Sequence, residues 1–103
     1  SLALEYAKKL QKLGAIIKMY DANLQAKSKF GNIKICKTLN DCIKGSDILI
    51  IVIAKKEYKN LSPKLCSKLM RSNYIIDAAN MLNAEDFKIA GFNYSGIGTG
   101  YKF

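Results

Sequence analysis

Apolar residues 48–53 (Ile-Leu-Ile-Ile-Val-Ile) form an unbroken branched run, entered through Gly45-Ser46-Asp47. An amphipathic helix would interrupt such a run with polar residues at a period near 3.6, and a half-exposed strand would alternate. The run therefore predicts a strand covered on both faces, with a buried helix segment as the alternative. It is shorter than the roughly 20 apolar residues that span a bilayer. Burial on two faces in turn predicts helices above and below a mostly parallel sheet.

The rest of the pattern supports that architecture. Over 1–13, Leu2, Tyr6, Leu10 and Leu13 recur at three- and four-residue spacing with Ala3 and Ala7 on the same side, which predicts a helix stopped by Gly14. A strand is predicted over 15–20 (Ala-Ile-Ile-Lys-Met-Tyr), followed by turn residues Asp21-Ala22-Asn23, a basic connection over 24–32 and a short strand over 33–37. Thr38 is the expected N-cap of a short helix to Lys44, with Asp41 three residues on. Residues 57–71 read as helical with Tyr58, Leu61, Leu65, Leu69 and Met70 inward. Pro63 divides that stretch, with Ser62 placed to cap its second part. Strands over 73–77 and 92–96 flank a loop at Ala78-Ala79-Asn80 and a short turn or helix over 84–88.

Helix, strand, strand, helix, strand, helix, strand, turn, strand is the order of an α/β domain, a single one at 103 residues. In open parallel sheets ligands gather beyond the carboxyl ends of the strands. The segments expected there are 21–23, 54–56, 77–80 and 96–100. An acid ending the second strand, as Asp21 does, can hold a ribose, but no glycine-rich turn precedes the first helix, so Asp21 reads as turn chemistry.

Charge and chemistry narrow the possibilities. Sixteen lysines and one arginine against eight acids give a net charge of +9. The lysines are spread along the chain, and Arg, the common reader of guanine and phosphate, occurs once, at Arg71. A solvated lysine coat fits better than a nucleic-acid interface. Three cysteines, Cys36, Cys42 and Cys66, lack C-x-x-C spacing, and the chain has no histidine, so zinc coordination and Cys-His or Ser-His nucleophiles are unsupported. The cysteines read as small core residues in a reducing compartment, the cytoplasm, and no segment reads as a signal peptide or membrane span.

Several landmarks occur together: Leu13-Gly14-Ala15 before Tyr20-Asp21, Gly45-Ser46-Asp47 with its strand, and Glu57-Tyr58. They continue with Ile75-Ile76-Asp77-Ala78-Ala79-Asn80 and with 91–98 (Gly-Phe-Asn-Tyr-Ser-Gly-Ile-Gly). In this order and spacing the chain resembles the C-terminal, UDP-binding domain of the UDP-glucose/GDP-mannose dehydrogenase family. The resemblance implies a three-layer Rossmann-like fold over 1–103, and a part in binding a UDP-sugar whose C6 hydroxymethyl the whole enzyme oxidises to a carboxylate with NAD. It also implies that the N-terminal NAD-binding domain and the middle domain, which brings the catalytic Cys, lie outside this chain, and that the chain alone is inactive and binds no cofactor. Asp77, Ala79, Asn80 and Lys55 are the positions it points to for the UDP-sugar.

Departures accompany the matches. The family usually has Asp-Gly-Arg-Asn where this chain has Asp77-Ala78-Ala79-Asn80, so Ala79 removes an expected guanidinium. The Thr-Glu-His or Thr-Glu-Trp that follows the family's central strand is Ile53-Ala54-Lys55 here, Ala22 stands where Pro is common, and Thr99 where a basic residue is common. Gly96-Ile97-Gly98-Thr99-Gly100 imitates part of a dinucleotide fingerprint but has no helix after it and reads as a tight turn. The family's first strand, which precedes the first helix, is missing. Its place would lie between the strands at 15–20 and 48–53, to be resolved by those strands closing on each other, by a second copy in a homodimer, or by a strand outside this chain. A partner-binding α/β module without a ligand is the alternative function.

Overall fold

A computed structural model describes residues 2–23 and 31–96. The chain divides into two compact units, Ser1–Cys42 and Ile43–Phe103. The pairings among the described strands are parallel, as the α/β reading requires.

The first unit holds helix α1 (Leu2–Lys12), strands β1 (Lys18–Met19) and β2 (Lys34–Ile35), and most of helix α2 (Leu39–Ile43). Lys18 and Met19 pair with Lys34 and Ile35. Backbone bonds from Lys34 N–H to Ile17 O and from Cys36 N–H to Met19 O extend that short ladder. Its core is Ala7, Met19, Ile33 and Ile35, with Ala3, Leu4 and Ile17 packed against it. Ala3 and Ala7 face inward as expected, together with Leu4, whereas the larger residues of the expected stripe are corrected: Leu2 and Tyr6 are half exposed and Leu13 is almost wholly so. Alanines at the contact let the helix backbone approach the strands closely, which the bulkier Leu2 and Tyr6 would prevent. The expected strand over 15–20 shortens for a related reason, since Ile16 points into solvent and ordered pairing begins only at Lys18.

Thr38 caps α2 as expected, its Oγ1 accepting from Asp41 N–H at 3.1 Å. Asp21 also behaves as read: its carboxylate accepts from Asn23 N–H at 2.9 Å and closes a turn.

The second unit carries the sheet β3-β4-β5, built from Ile48–Ile51, Tyr74–Asp77 and Asn93–Gly96. A 3-10 helix (Lys56–Asn60), α3 (Pro63–Leu69) and α4 (Ala84–Ile89) connect its strands. The break in the 57–71 stretch falls at the proline: Ser62 accepts from Leu65 N–H at 3.1 Å, and Pro63 occupies the first helical position, where a missing N–H costs nothing. Asn83 performs the same office for α4, accepting from Asp86 N–H at 2.9 Å.

Side chains alternate across this sheet. In register, Leu49, Ile75 and Tyr94 share a row, as do Ile51, Asp77 and Gly96. Phe87 of α4 packs on that face, 6.2 Å between ring centroids from Tyr94 and edge-on to Phe92 at 5.3 Å. Leu61, Cys66, Met70 and Ile43 are buried in the same unit. The opposite face is different: Ile48 is 50% exposed, Ile50 39% and Tyr74 47%. The expectation that residues 48–53 are covered on both faces is therefore corrected. The strand ends at Ile51, and apolar composition did not distinguish a doubly covered strand from an edge strand with one face uncovered. Among the described residues β3 has β4 as its ladder partner and β1 has β2.

Candidate functional site

The carboxyl end of the sheet is where an open parallel α/β architecture places a ligand, and its most ordered feature is the turn that leaves β4. Asp77 is the last residue of the strand and is completely buried. A carboxylate so placed must be fully hydrogen-bonded to be tolerated. It accepts from Met81 N–H at 2.9 Å and Leu82 N–H at 2.8 Å, and from the Tyr94 hydroxyl at 2.6 Å, all on Oδ2, with Oδ1 also 3.0 Å from Met81 N. Met81 and Leu82 are four and five residues on, so the carboxylate closes the loop that its own strand opens. Asn80 makes this possible by taking φ +55°, a left-handed conformation that Asn tolerates better than most residues. Across the strands, Ala78 N–H donates to Ile51 O at 2.9 Å and pins the start of the loop to the end of β3.

Burial holds the Tyr94 phenol well above its ordinary value, and the hydrogen bond to Asp77 and that carboxylate's charge add to the effect. Tyr94 therefore stays a neutral donor toward Asp77 at physiological pH. It was not among the residues read from sequence as part of this end. The available signal was period-two spacing on the last strand, which puts Tyr94 beside Ile75 on the Asp77 face.

The four residues singled out from sequence divide into two kinds. Asp77 has both carboxylate oxygens engaged from within the fold, so what it does at this end is fix the loop. Ala79 is half-buried and Asn80 exposed, on the loop that Asp77 fixes. Lys55 is half-buried at the start of the 3-10 helix, where its carbonyl accepts from Tyr58 N–H at 3.0 Å. Since Ile51 and Asp77 are register partners, Lys55 and the 79–80 loop leave the same end of the sheet. A cation, an amide and a loop held in one shape suit an anionic, hydroxyl-rich ligand better than acid–base chemistry. Of the 96–100 turn only Gly96 lies within the described residues, and most of the 24–32 connection lies outside them.

An exposed charged pair of this unit stands at the opposite end of the strands. Arg71 binds Asp47 through two nitrogens, Nε to Oδ1 at 2.8 Å and Nη2 to Oδ2 at 2.6 Å. That hydrogen-bonded guanidinium lowers the Asp47 pKa. Both side chains are solvent-exposed, so the pair ties the start of β3 to the residue after α3 without belonging to the ligand end. Among the described residues no three of Cys, Asp or Glu gather in a way that could hold a metal ion, and no helix is long and apolar enough to cross a membrane.

The UDP binding domain of the UDP-glucose/GDP-mannose dehydrogenase family matches residues 1–84, which include β1 to β4 and the whole Asp77 loop. The segment over 91–98 lies beyond the matched stretch. No curated protein matches the chain.

Proposed function

The chain belongs to the UDP-glucose/GDP-mannose dehydrogenase family through its UDP binding domain, and from that premise we propose that it binds the nucleotide sugar of an NAD-dependent UDP-sugar 6-dehydrogenase. The observation that carries this reading is the loop over 77–82, which falls inside the matched stretch and at the ligand end of the sheet, and which Asp77 holds in one shape. Lys55 and Asn80 are the polar groups we assign to the ligand, Lys55 facing phosphate charge and Asn80 a hydroxyl or amide. Ala79 supplies no guanidinium, which makes the affinity weak. NAD and the catalytic cysteine come from other domains of the enzyme, whose overall reaction takes the sugar C6 hydroxymethyl to a carboxylate. The chain by itself is inactive and binds no cofactor. Three free cysteines favour the cytoplasm as its setting.

Calorimetry with UDP and UDP-glucose tests the reading. The native chain should bind weakly, and Ala79→Arg should bind about one to two decades more tightly, because a charge-assisted hydrogen bond contributes about 1.5–3 kcal/mol. No gain on the substitution would remove the 77–80 loop from the proposed site. NADH forming when the chain alone meets NAD and UDP-glucose would overturn its inactivity.

A second reading has its own observation. Among the described residues β3 has β4 as its ladder partner, so its other backbone edge suits pairing with another strand, and a second copy of the chain in a two-fold homodimer, which would also cover part of the exposed Ile48 and Ile50, is the partner we assign to it. A module that acts only through such an interface would show association without any response to UDP.

A further inference from the structure

The loop over 77–82 is closed twice, once by its own chain and once from the last strand. Its own closure is the pair of bonds that Met81 N–H and Leu82 N–H donate to Asp77. The second is the Tyr94 hydroxyl, which donates to Asp77 Oδ2 at 2.6 Å and is, among the described residues, the donor that reaches this carboxylate from outside the loop. What holds the hydroxyl there starts at the loop itself. Asn83 follows Leu82 and caps α4, accepting from Asp86 N–H at 2.9 Å. In that helix Phe87 is buried, its ring centroid 6.2 Å from that of Tyr94 and 5.3 Å from that of Phe92. Phe92 N–H donates to Phe87 O at 3.0 Å and ties the entry of β5 to the same helix. Loop, helix and strand thus form a ring of contacts that begins and ends on Asp77. All of β5, and α4 after Ala84, lie beyond the stretch that matches the family.

We propose that Tyr94 is a positioning residue for the nucleotide sugar, its hydroxyl acting through Asp77 to set the loop that presents Asn80; this rests on the reading that the 77–80 loop meets the ligand. The Asp77 backbone belongs to β4, but its carboxylate turns about two side-chain bonds, and the Met81 and Leu82 N–H groups can turn with it. Bonds inside the loop therefore give the loop a shape without fixing its direction. The phenol comes from another strand and refers the carboxylate to the frame of the sheet. Ala78 N–H on Ile51 O fixes the start of the loop, and the residues beyond it depend on Asp77. Asn80 is the most sensitive of them, because it directly precedes Met81 and holds φ +55°, a conformation that persists only where its surroundings enforce it. Without the hydroxyl, Asp77 keeps Met81 and Leu82, yet the Asn80 amide spends less time where the ligand meets it. A group one step removed from a ligand changes affinity in this way without touching it. Tyr94→Phe is the fitting probe, since it removes one oxygen and keeps the ring against Phe87.

The test is a double-mutant cycle on the intact chain, with Tyr94→Phe, Asp77→Asn and the two combined, folding checked by circular dichroism. Asparagine keeps an oxygen to accept the loop N–H groups but removes the charge that the phenol meets. Binding of UDP-glucose is followed by NMR titration at neutral pH, and amide hydrogen exchange is read without ligand. Tyr94→Phe should bind about tenfold more weakly, the lower end of what such orienting groups contribute. Added to Asp77→Asn it should change binding little, since the two act as one unit. The Met81 and Leu82 N–H groups should exchange faster in Tyr94→Phe, while Asn93 N–H, bonded to Asn73 O at 2.8 Å at the far end of the β4–β5 ladder, keeps its native rate. A merely structural tyrosine would speed all three alike and leave the affinity of the folded chain unchanged, and that result overturns the proposal. An equal tenfold loss in the Asp77→Asn background also overturns it, because Tyr94 would then touch the ligand itself. If Asp77→Asn does not fold, the exchange pattern and affinity of Tyr94→Phe decide alone. Failure of the native chain to bind UDP-glucose would remove the underlying reading, whereas native binding that Tyr94→Phe retains in full removes the role of Tyr94 only.

Discussion

The β4 turn and the β3 strand lie side by side in one three-stranded sheet and are finished to different degrees. At the turn, a fully buried carboxylate is met by two backbone N–H groups and a phenol, and among the described residues no buried side-chain polar atom lacks a partner. At β3, Ile48 and Ile50 stand half in solvent, and β4 is the described ladder partner. A strand whose other backbone edge meets no described partner invites a further strand. The difference teaches that local polar closure and sheet completion are separate problems. The loop solves the first within about six residues of chain, whereas the second requires a partner for the strand.

The largest expected effect comes from breaking the closed side. Asp77→Ala leaves the Met81 and Leu82 N–H groups and the Tyr94 hydroxyl without an acceptor, at a cost of about 3–5 kcal/mol. That is a large part of the roughly 5–15 kcal/mol that holds a small domain together. The urea midpoint should fall steeply, and Asp47→Asn, at an exposed ion pair, should leave it nearly in place. Equal shifts for the two would show that burial of the Asp77 carboxylate does not govern this end of the sheet.

The open side should respond in association rather than in folding. Ile48→Thr with Ile50→Thr keeps the β-branched shape while removing apolar surface, so the unfolding midpoint should change little. If two copies pair along β3, the dissociation constant from light scattering or sedimentation should rise about tenfold to a hundredfold, from roughly 1.5–3 kcal/mol of lost apolar burial. A native chain that is monomeric at every concentration would leave the edge without the partner assigned to it.

Alkaline pH separates the regions again. Tyr94 and Cys66 both have raised values in the folded state, Cys66 from 9.0 to about 11 through burial. The folded chain then holds these protons more tightly than the unfolded one, so their contribution is complete below about pH 9 and is lost as pH rises through the folded values. Stability measured by urea at pH 8, 10 and 11 should decline. The decline should be shallower in Tyr94→Phe, which starts lower because the bond to Asp77 is gone but has no phenol to ionise. Residues 48–53 carry no titratable side chain, so the two isoleucine substitutions should leave that slope unaltered.

Much of this was legible in the chain. The Thr38 and Ser62 caps, the proline at the first turn of α3 and the Asp21 turn are short-range chemistry, and each was read from a few adjacent residues. The family was legible from spaced landmarks, and the matched stretch confirms it. Two kinds of information were not local. Which face of α1 is inward depended on how closely a helix of alternating Ala and Leu can approach two short strands, and periodicity accommodates either stripe. Whether residues 48–53 are covered on one face or two depended on what lies over the sheet, and six branched residues look the same in both cases. At the site, the strand-end carboxylate and Asn80 could be named from the motif, but the partnership with Tyr94 joins residues 17 apart and follows only from the register of β4 with β5.

The smallest effect tests how the closed loop is shaped. Asn80 is the described non-glycine residue with positive φ, at +55°, and it stands between the half-buried Ala79 and the Met81 N–H that Asp77 captures. A left-handed conformation costs a residue with a Cβ about 1–2 kcal/mol, and Asn offsets part of that because its short polar side chain bonds locally. Asn80→Ala keeps the Cβ and loses the offset, so stability should drop by about 1 kcal/mol. Asn80→Gly removes the Cβ and should fold at least as well, apart from the greater freedom glycine gains when unfolded. Binding should order the two differently. If the Asn80 amide meets the ligand, both substitutions weaken UDP-glucose binding alike, whereas if Asn80 only sets the backbone, the glycine variant binds as the native chain does. Calorimetry on the two variants, each with its own urea midpoint, therefore distinguishes a ligand contact from a loop-shaping residue. A glycine variant less stable than the alanine one would show that the left-handed turn is not what Asn80 contributes.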